Sequence, residues 1–316
     1  MPPKILFTCI LMFGTLFSQD SYNLGDIKNK VNQLPDNPEE LLAKGNMELD
    51  SGNILLAEEI FNKALSLDPS FAPAIKGLSK SSLHKGDLKK ANEYAIDAVQ
   101  KDEDFREWSK SITKISENIQ NGNRNVQQGL FDEAIKNYEL ILKDHPYFPD
   151  AEFYKGLTRF RQKDIEGAAG YFKRALEIYP DHQKARKGLD NVTKQFLNAG
   201  NKSYKRGDLE KAIGYYEKAL EFDSNFYLAY FQLGVLKKKQ GQSKKAIESL
   251  QKVIEIKPDH DKTWFTLGTA YEADGKNEDA ILHYSKAIEI NPRYTKAYGN
   301  LGKLYTDIGD YIAAED

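Results

Sequence analysis

The sequence predicts an all-α protein, an α-solenoid of stacked helix–turn–helix units. Three observations carry that prediction. From Pro38 onward a pattern recurs about every 34 residues, with units starting at 38, 72, 115, 149, 193, 227, 261 and 295. Position 20 of the unit is Ala in all eight copies (Ala57, Ala91, Ala134, Ala168, Ala212, Ala246, Ala280, Ala314), and position 8 is Gly in all but one, where Ser79 stands. Apolar residues fall at helical spacing on both sides of position 15, which is Gly in every copy but one, the exception being Lys163. Composition agrees: 40% hydrophobic, 29% charged and only 11 prolines in 316 residues describe a folded, helix-compatible chain.

The N-terminus stands apart. Lys4 precedes an apolar run from Ile5 to Phe17, after which Ser18, Gln19 and Asp20 turn the chain polar. A basic start, a short apolar stretch and a small residue before the polar switch match an export signal peptide over residues 1–18. The run falls short of the ~20 residues a membrane-spanning helix needs. An uncleaved N-terminal anchor is the competing reading. The single cysteine, Cys9, lies within this run, so a cleaved chain has no disulfide, thiol nucleophile or thiolate metal site. Residues 19–37 read as a polar linker.

Inside each unit, glycine at position 15 supplies the turn between two helices, often followed by Asp, as in Gly86-Asp87 and Gly207-Asp208. Gly at 8 and Ala at 20 are small where the two antiparallel helices cross closely. An aromatic at position 24 (Phe61, Tyr138, Phe172, Tyr216, Tyr284) fills the space beside that crossing. Proline at position 32 (Pro69, Pro146, Pro180, Pro258, Pro292) lacks the N–H a continuing helix needs and ends the second helix.

Two spacers interrupt the period, residues 106–114 and 183–192. Their apolar residues, such as Trp108, Ile112, Ile115 and Ala185, Leu189, Val192, step by threes and fours into the following helix. Each reads as roughly 2.5–2.8 extra turns of that helix, with a short separate helix as the alternative. Units one, three and five share Gly-Asn at positions 8–9, and units two, four and six share Ala at position 3, so the first six units form three tandem pairs.

With these residues in place, the chain resembles the tetratricopeptide repeat family. The seventh unit is the clearest copy: Trp264, Leu267, Gly268, Tyr271, Ala280, Tyr284, Ala287 and Pro292. The resemblance covers residues 38–316, as seven complete repeats and an eighth that stops at position 22. It implies a right-handed superhelix whose first helices line a concave groove. Positions 2, 5, 6, 9, 12 and 13 face that groove in the family. Here they include Leu42, Asn46, Leu49, Ile119, Asn123, Phe153, Tyr154, Phe160, Leu197, Asn201, Tyr204, Phe231, Gln232, Phe265 and Asn300. Rings that bury apolar anchors and amides that bond a backbone suit a peptide or protein ligand. The two-carboxylate clamp of the chaperone-binding members is not matched, because position 5 beside Asn46, Asn123 and Asn201 is Leu42, Ile119 and Leu197 rather than Lys.

Other classes find little support. Net charge is −2 with both signs interspersed, which excludes a basic nucleic-acid stripe; Lys237, Lys238, Lys239, Lys244 and Lys245 read as a solvated helix face. The sequence shows no phosphate loop, zinc-protease or hydrolase motif, no cofactor or metal site, and no small-molecule site. The five histidines do not recur at a ligand spacing. Three of them, His145, His182 and His260, sit at repeat junctions beside Pro or Asp and read as solvated. The sequons at Asn191 and Asn201 fall inside expected helices.

The expectation is a non-catalytic, exported adaptor of the periplasm or cell envelope that binds a protein or peptide. Its alternative is the regulatory arm of a larger protein, an enzyme or a J-domain co-chaperone, because the closing "LGKLYTDIGDYIAAED" stops inside a second helix and reads as a truncation. Export predicts a mature N-terminus at Gln19; intact-mass measurement on protein from the native host that returned Met1 would refute it.

Overall fold

The computed structural model describes residues 24–309. The expected leader with Cys9 and the closing residues 310–316, Ala314 included, lie outside the described residues. Among the described residues there are sixteen α-helices and no strand. After a first helix α1 (Leu24–Asn32), the first four repeats place α2 (Pro38–Asp50) with α3 (Ile54–Leu67), α4 (Ala72–His84) with α5 (Leu88–Lys101), α6 (Arg106–Gln127) with α7 (Phe131–Asp144), and α8 (Pro149–Arg161) with α9 (Ile165–Ile178). There follow α10 (Gln183–Arg206) with α11 (Leu209–Phe222), α12 (Tyr227–Lys239) with α13 (Ser243–Ile256), and α14 (Asp261–Ala273) with α15 (Asn277–Ile290); α16 (Thr295–Asp307) closes the described chain. The chain packs as two units, one of residues up to 154 together with 174–182, the other of 155–173 and 183 onward.

Helix ends follow from local chemistry. Asn37 caps α2 by accepting from the Glu40 amide at 2.9 Å, with Pro38 at the first position, and Asp87 caps α5 by accepting from Lys90 at 3.0 Å. The turn residue at position 15 adopts positive φ throughout, 73–86° at the glycines. Lys163 holds the same conformation at φ 66°, the one non-glycine among the described residues to do so.

In five repeats a position-24 ring sits tightly on the position-8 glycine, and in the sixth Leu250 takes the ring's place on Gly234. A Cβ added to Gly45 would meet the Phe61 ring at 2.4 Å; at Gly122 and Gly200 it would meet Tyr138 and Tyr216 at 2.4 Å, and at Gly268 it would meet Tyr284 at 2.5 Å. The position-24 ring therefore occupies the volume that a side chain at position 8 would need. Two of these rings lie between two glycines: Phe61 between Gly45 and Gly77, and Phe172 between Gly156 and Gly188. The alanines at position 20, from Ala57 to Ala280, are wholly buried at the same crossing.

The second repeat inverts the exchange. Ala95 takes the ring's place, and Ser79 takes the glycine's. Its hydroxyl donates to the Ala91 carbonyl at 2.7 Å and accepts from the Trp108 indole at 3.0 Å. Trp108 belongs to α6, which runs unbroken through residues 106–114, just as α10 runs through 183–192. The first turns of α6 thus pack on the second repeat, while its last turns pair with α7 through Gly122 and Tyr138. Nine extra residues are roughly two and a half helical turns. In α10, Gly188 meets Phe172 and Gly200 meets Tyr216, by the same sharing of one helix.

The polar linker expected over 19–37 is corrected by α1. Ile27 and Val31, one turn apart, are buried with Leu41, Ile60 and Phe61. They cover the open apolar end of the first helix pair, which an array must close. Lys63 completes the join by donating to the carbonyls of Leu34 at 2.6 Å and Val31 at 3.3 Å, with Asp36 at 2.9 Å. The apolar spacing was present in the sequence, but two buried residues in a short polar helix give a weak signal.

The ring-on-glycine contact predicts that Gly122→Ala destabilises by about 2–3 kcal/mol through overpacking. Gly129→Ala, whose added methyl meets nothing within 4 Å but which sits at φ 77°, costs about 1 kcal/mol. In a Tyr138→Ala background the Gly122→Ala increment falls below about 1 kcal/mol, because the obstructing ring is gone. Urea unfolding of the four proteins checks the order.

Candidate functional site

The groove positions lie on the first helix of each repeat, and the structure sorts them by exposure. Leu49, Phe153 and Leu197 retain only 3%, 9% and 9% of their surface. These three therefore serve the interior of the array, and the others of the set keep more of their surface. Leu42, Asn46, Ile119, Tyr154, Phe160, Asn201, Tyr204, Phe231, Gln232, Phe265 and Asn300 are half-buried, and Asn123 is exposed.

Position 5 packs inward for a reason the 34-residue pattern contains. Position 34 carries an aromatic side chain in all seven complete repeats: Phe71, Phe105, Phe148, His182, Phe226, His260 and Tyr294. In the fourth, sixth and seventh repeats that ring meets position 5 of its own repeat. Phe153 lies 5.7 Å from His182, Phe231 lies 5.2 Å edge-on to His260, and Phe265 lies 5.0 Å edge-on to Tyr294. In the second repeat position 5 is Lys76, whose ammonium sits 5.4 Å over Phe105. This seat went unread in the sequence, although its recurrence was there to find.

The solvated reading of the junction histidines is corrected by their surroundings. His182 is 5% exposed and bonds Asp150 at 3.0 Å. His145 is 8% exposed, edge-on to Trp108 at 5.4 Å. His260 is half-buried between Tyr227 and Phe231 and bonds Thr263 Oγ1 at 2.6 Å. Burial lowers the pKa of His145 and His260.

The amides at position 9 are tied to the core. The Tyr138 hydroxyl donates to Asn123 Oδ1 at 3.0 Å, and the Tyr216 hydroxyl donates to Asn201 Oδ1 at 2.8 Å. The phenol of a buried ring and the amide on the groove face thus satisfy one another. Burial pushes the Tyr216 pKa up to about 12, so that hydroxyl remains a donor. In the seventh repeat Tyr284 donates instead to Glu272 at 2.6 Å and accepts from Asn300 Nδ2 at 3.1 Å. Nearby, the Lys239 ammonium lies 4.9 Å over the Tyr204 ring, and Lys238 donates to Thr269 at 2.7 Å. Lys238 is held below the usual lysine range by burial, so it does not belong to a solvated face.

Two further observations bound the chemistry. No helix among the described residues is long and apolar enough to cross a membrane. No group of three or more His, Cys, Asp or Glu among the described residues is placed to hold a metal ion.

Comparison with known proteins follows this geometry. Tetratricopeptide repeat models match residues 41–71, 119–182 and 227–260, and a TPR repeat model matches 200–241 and 273–309. No curated protein sequence matches the chain significantly. Among solved structures, the MamA protein aligns at 23% identity over 58% of this chain and 94% of its own, with a TM-score of 0.30. The first TPR of Spaghetti (RPAP3), bound to an HSP90 peptide, aligns at 21% identity over 37% of this chain and 92% of its own, with a TM-score of 0.36. The Arabidopsis OM64 TPR domain aligns at 19% identity over 37% and 96%, with a TM-score of 0.36.

His84, at groove position 13 of the second repeat, yields a pH prediction. Burial lowers its pKa from 6.5 to about 4, against the opposing pull of Asp50. The folded state thus resists a proton that the unfolded chain accepts, and stability falls as pH drops from about 6.5 toward 4. At about 1.4 kcal/mol per pH unit, His84 costs roughly 2 kcal/mol between pH 7 and 5. His84→Gln flattens the profile by that amount in chemical unfolding at the two pH values.

Proposed function

Because the chain belongs to the tetratricopeptide repeat family, we propose that it is a non-catalytic scaffold whose first-helix face binds a protein partner in extended form. The observation that carries this reading is the pairing of Asn123 with Tyr138 and of Asn201 with Tyr216. Each bond fixes the amide carbonyl toward the core and leaves the Nδ2 donors directed away from it. A partner's backbone carbonyls accept from such donors, and a donor already held in place loses little freedom on binding. Within the second unit, half-buried Tyr204, Gln232 and Phe160 add contact surface on their own first helices. Export to the periplasm or cell envelope, the reading drawn from the N-terminal residues, places that partner outside the cytoplasm.

Asn→Asp substitution tests the role of the donors with little change of shape. Aspartate keeps the oxygen that receives the tyrosine hydroxyl but replaces the amide donors by a second acceptor. Asn201→Asp and Asn123→Asp are expected to reduce capture of a cross-linked or co-purified partner at least tenfold, with helicity and melting close to those of the parent. Undiminished capture by both variants removes the groove from consideration.

A further inference from the structure

The turn of the sixth repeat, within the second unit, concentrates positive charge. Residues 237–245 hold Lys237, Lys238, Lys239, Lys244 and Lys245 and no acidic residue. The first three end α12, and the last two fall in the first turn of α13. Cations suit the carbonyl end of a helix, as at α12, but are disfavoured beside the N–H groups at the start of one. Yet α13 opens on two lysines, without an acidic residue in its first turn and without a side-chain cap from Gln242. By contrast, α7 begins with Asp132 and Glu133, α11 with Glu210, and α15 with Glu278 and Asp279.

The protein does not neutralise these charges itself. None of the five ammonium groups forms an ion pair with a carboxylate among the described residues. Lysines on the second helices do: Lys252 pairs with Glu255 at 2.6 Å, Lys286 with Glu289 at 2.6 Å, and Lys218 with Glu166. Lys239 instead lies over the Tyr204 ring, and Lys238 donates to a neutral hydroxyl, that of Thr269. Glu210 and Glu272, in the flanking repeats, receive Gln240 at 3.5 Å and the Tyr284 hydroxyl at 2.6 Å. Lys239, Lys244 and Lys245 are exposed. Uncompensated cations this close in sequence repel one another, so the cluster works against the fold and suits an anionic ligand.

We propose that the partner carries a short acidic segment whose carboxylates pair with Lys239, Lys244 and Lys245. The inference rests on the scaffold reading above and names the chemistry of its partner. Lys238 and Lys239 occupy groove positions 12 and 13 of the sixth repeat, and Tyr204, under Lys239, follows Asn201 by about one helical turn. A chain that accepts from the Asn201 amide therefore has the lysines within reach of its next residues. Glu210 in the fifth repeat and Glu272 with Asp274 in the seventh bound the cluster, so a long run of phosphates meets repulsion where a few carboxylates do not. Lys238 and Lys239 are engaged by groove residues, a setting that favours a peptide in the groove over a flat lipid surface.

Fluorescence anisotropy with a rhodamine-labelled Gly-Glu-Glu-Asp-Glu-Glu-amide peptide tests this. In low salt the peptide is expected to bind saturably, at least about tenfold tighter than its Gln/Asn counterpart. Combining Lys239→Gln, Lys244→Gln and Lys245→Gln weakens binding about tenfold, whereas Lys218→Gln, Lys252→Gln and Lys286→Gln together, which remove the same charge from paired sites, leave it within about twofold. The Lys244→Gln, Lys245→Gln double variant is expected to melt no lower than the parent while binding less, because those lysines serve a ligand and not the fold. Equal loss in the two triple variants, a lower melting temperature in the double variant, or equal affinity for both peptides overturns the proposal. So does lysine-dependent binding of 3:1 phosphatidylcholine–phosphatidylglycerol vesicles or of a thymidine oligonucleotide without binding of the acidic peptide. Loss of partner capture in Asn201→Asp alongside a silent acidic peptide overturns the acidic segment alone and leaves the scaffold reading standing.

Discussion

The seating of the position-24 ring on the position-8 glycine is the contact from which the rest of each repeat follows. It brings the two helices of a pair together so that position 20 must be alanine, and it buries a large ring without a void. Where the ring is a tyrosine, its hydroxyl reaches past the glycine to the next residue, Asn123 or Asn201, on the groove side. Packing and surface chemistry are thereby joined in a single side chain. The second repeat shows the constraint from the other direction. Without the ring at Ala95 the glycine becomes Ser79, and Trp108 of the following helix bonds it.

A second constraint acts at the far end of each repeat. The aromatic residue at position 34 rests on position 5, so part of what lies on the groove face is structural. Phe231 and Phe265 touch His260 and Tyr294, and Phe153 touches His182. Altering a position-5 ring therefore changes how the second helix returns to the first as well as what a partner would meet. Amide positions 6 and 9, of which Gln232 and Asn201 are examples, are less entangled with that packing.

Much of the architecture was legible in the sequence because it repeats. Small residues at 8, 15 and 20 recur at one spacing, and each has a steric reason that holds in every copy. What escaped reading lacked either repetition or local evidence. The α1 helix occurs once and buries only Ile27 and Val31. The junction histidines were judged by their neighbours: Pro180 and Asp181 make His182 look solvated. Its burial is set instead by Phe153 and Asp150, about thirty residues away. For the candidate groove positions, family register alone does not separate Leu49, which is buried, from Tyr204, which is half-buried. His84 was given no role because it does not repeat, and the lowered pKa values of His84 and His145 come from a tertiary setting that no spacing announces.

The shared helix α6 has a bearing on how the array comes apart. In a simple repeat protein each unit touches only its neighbours, and stability is a sum of local terms, so the chain frays from its ends one repeat at a time. Here one continuous helix supplies a wall to the second repeat with Trp108 and the first half of the third with Gly122. Melting either repeat removes backbone hydrogen bonds from the other. The natural unit of unfolding is then a block of several repeats, and a partner that grips any part of that block stabilises the whole of it.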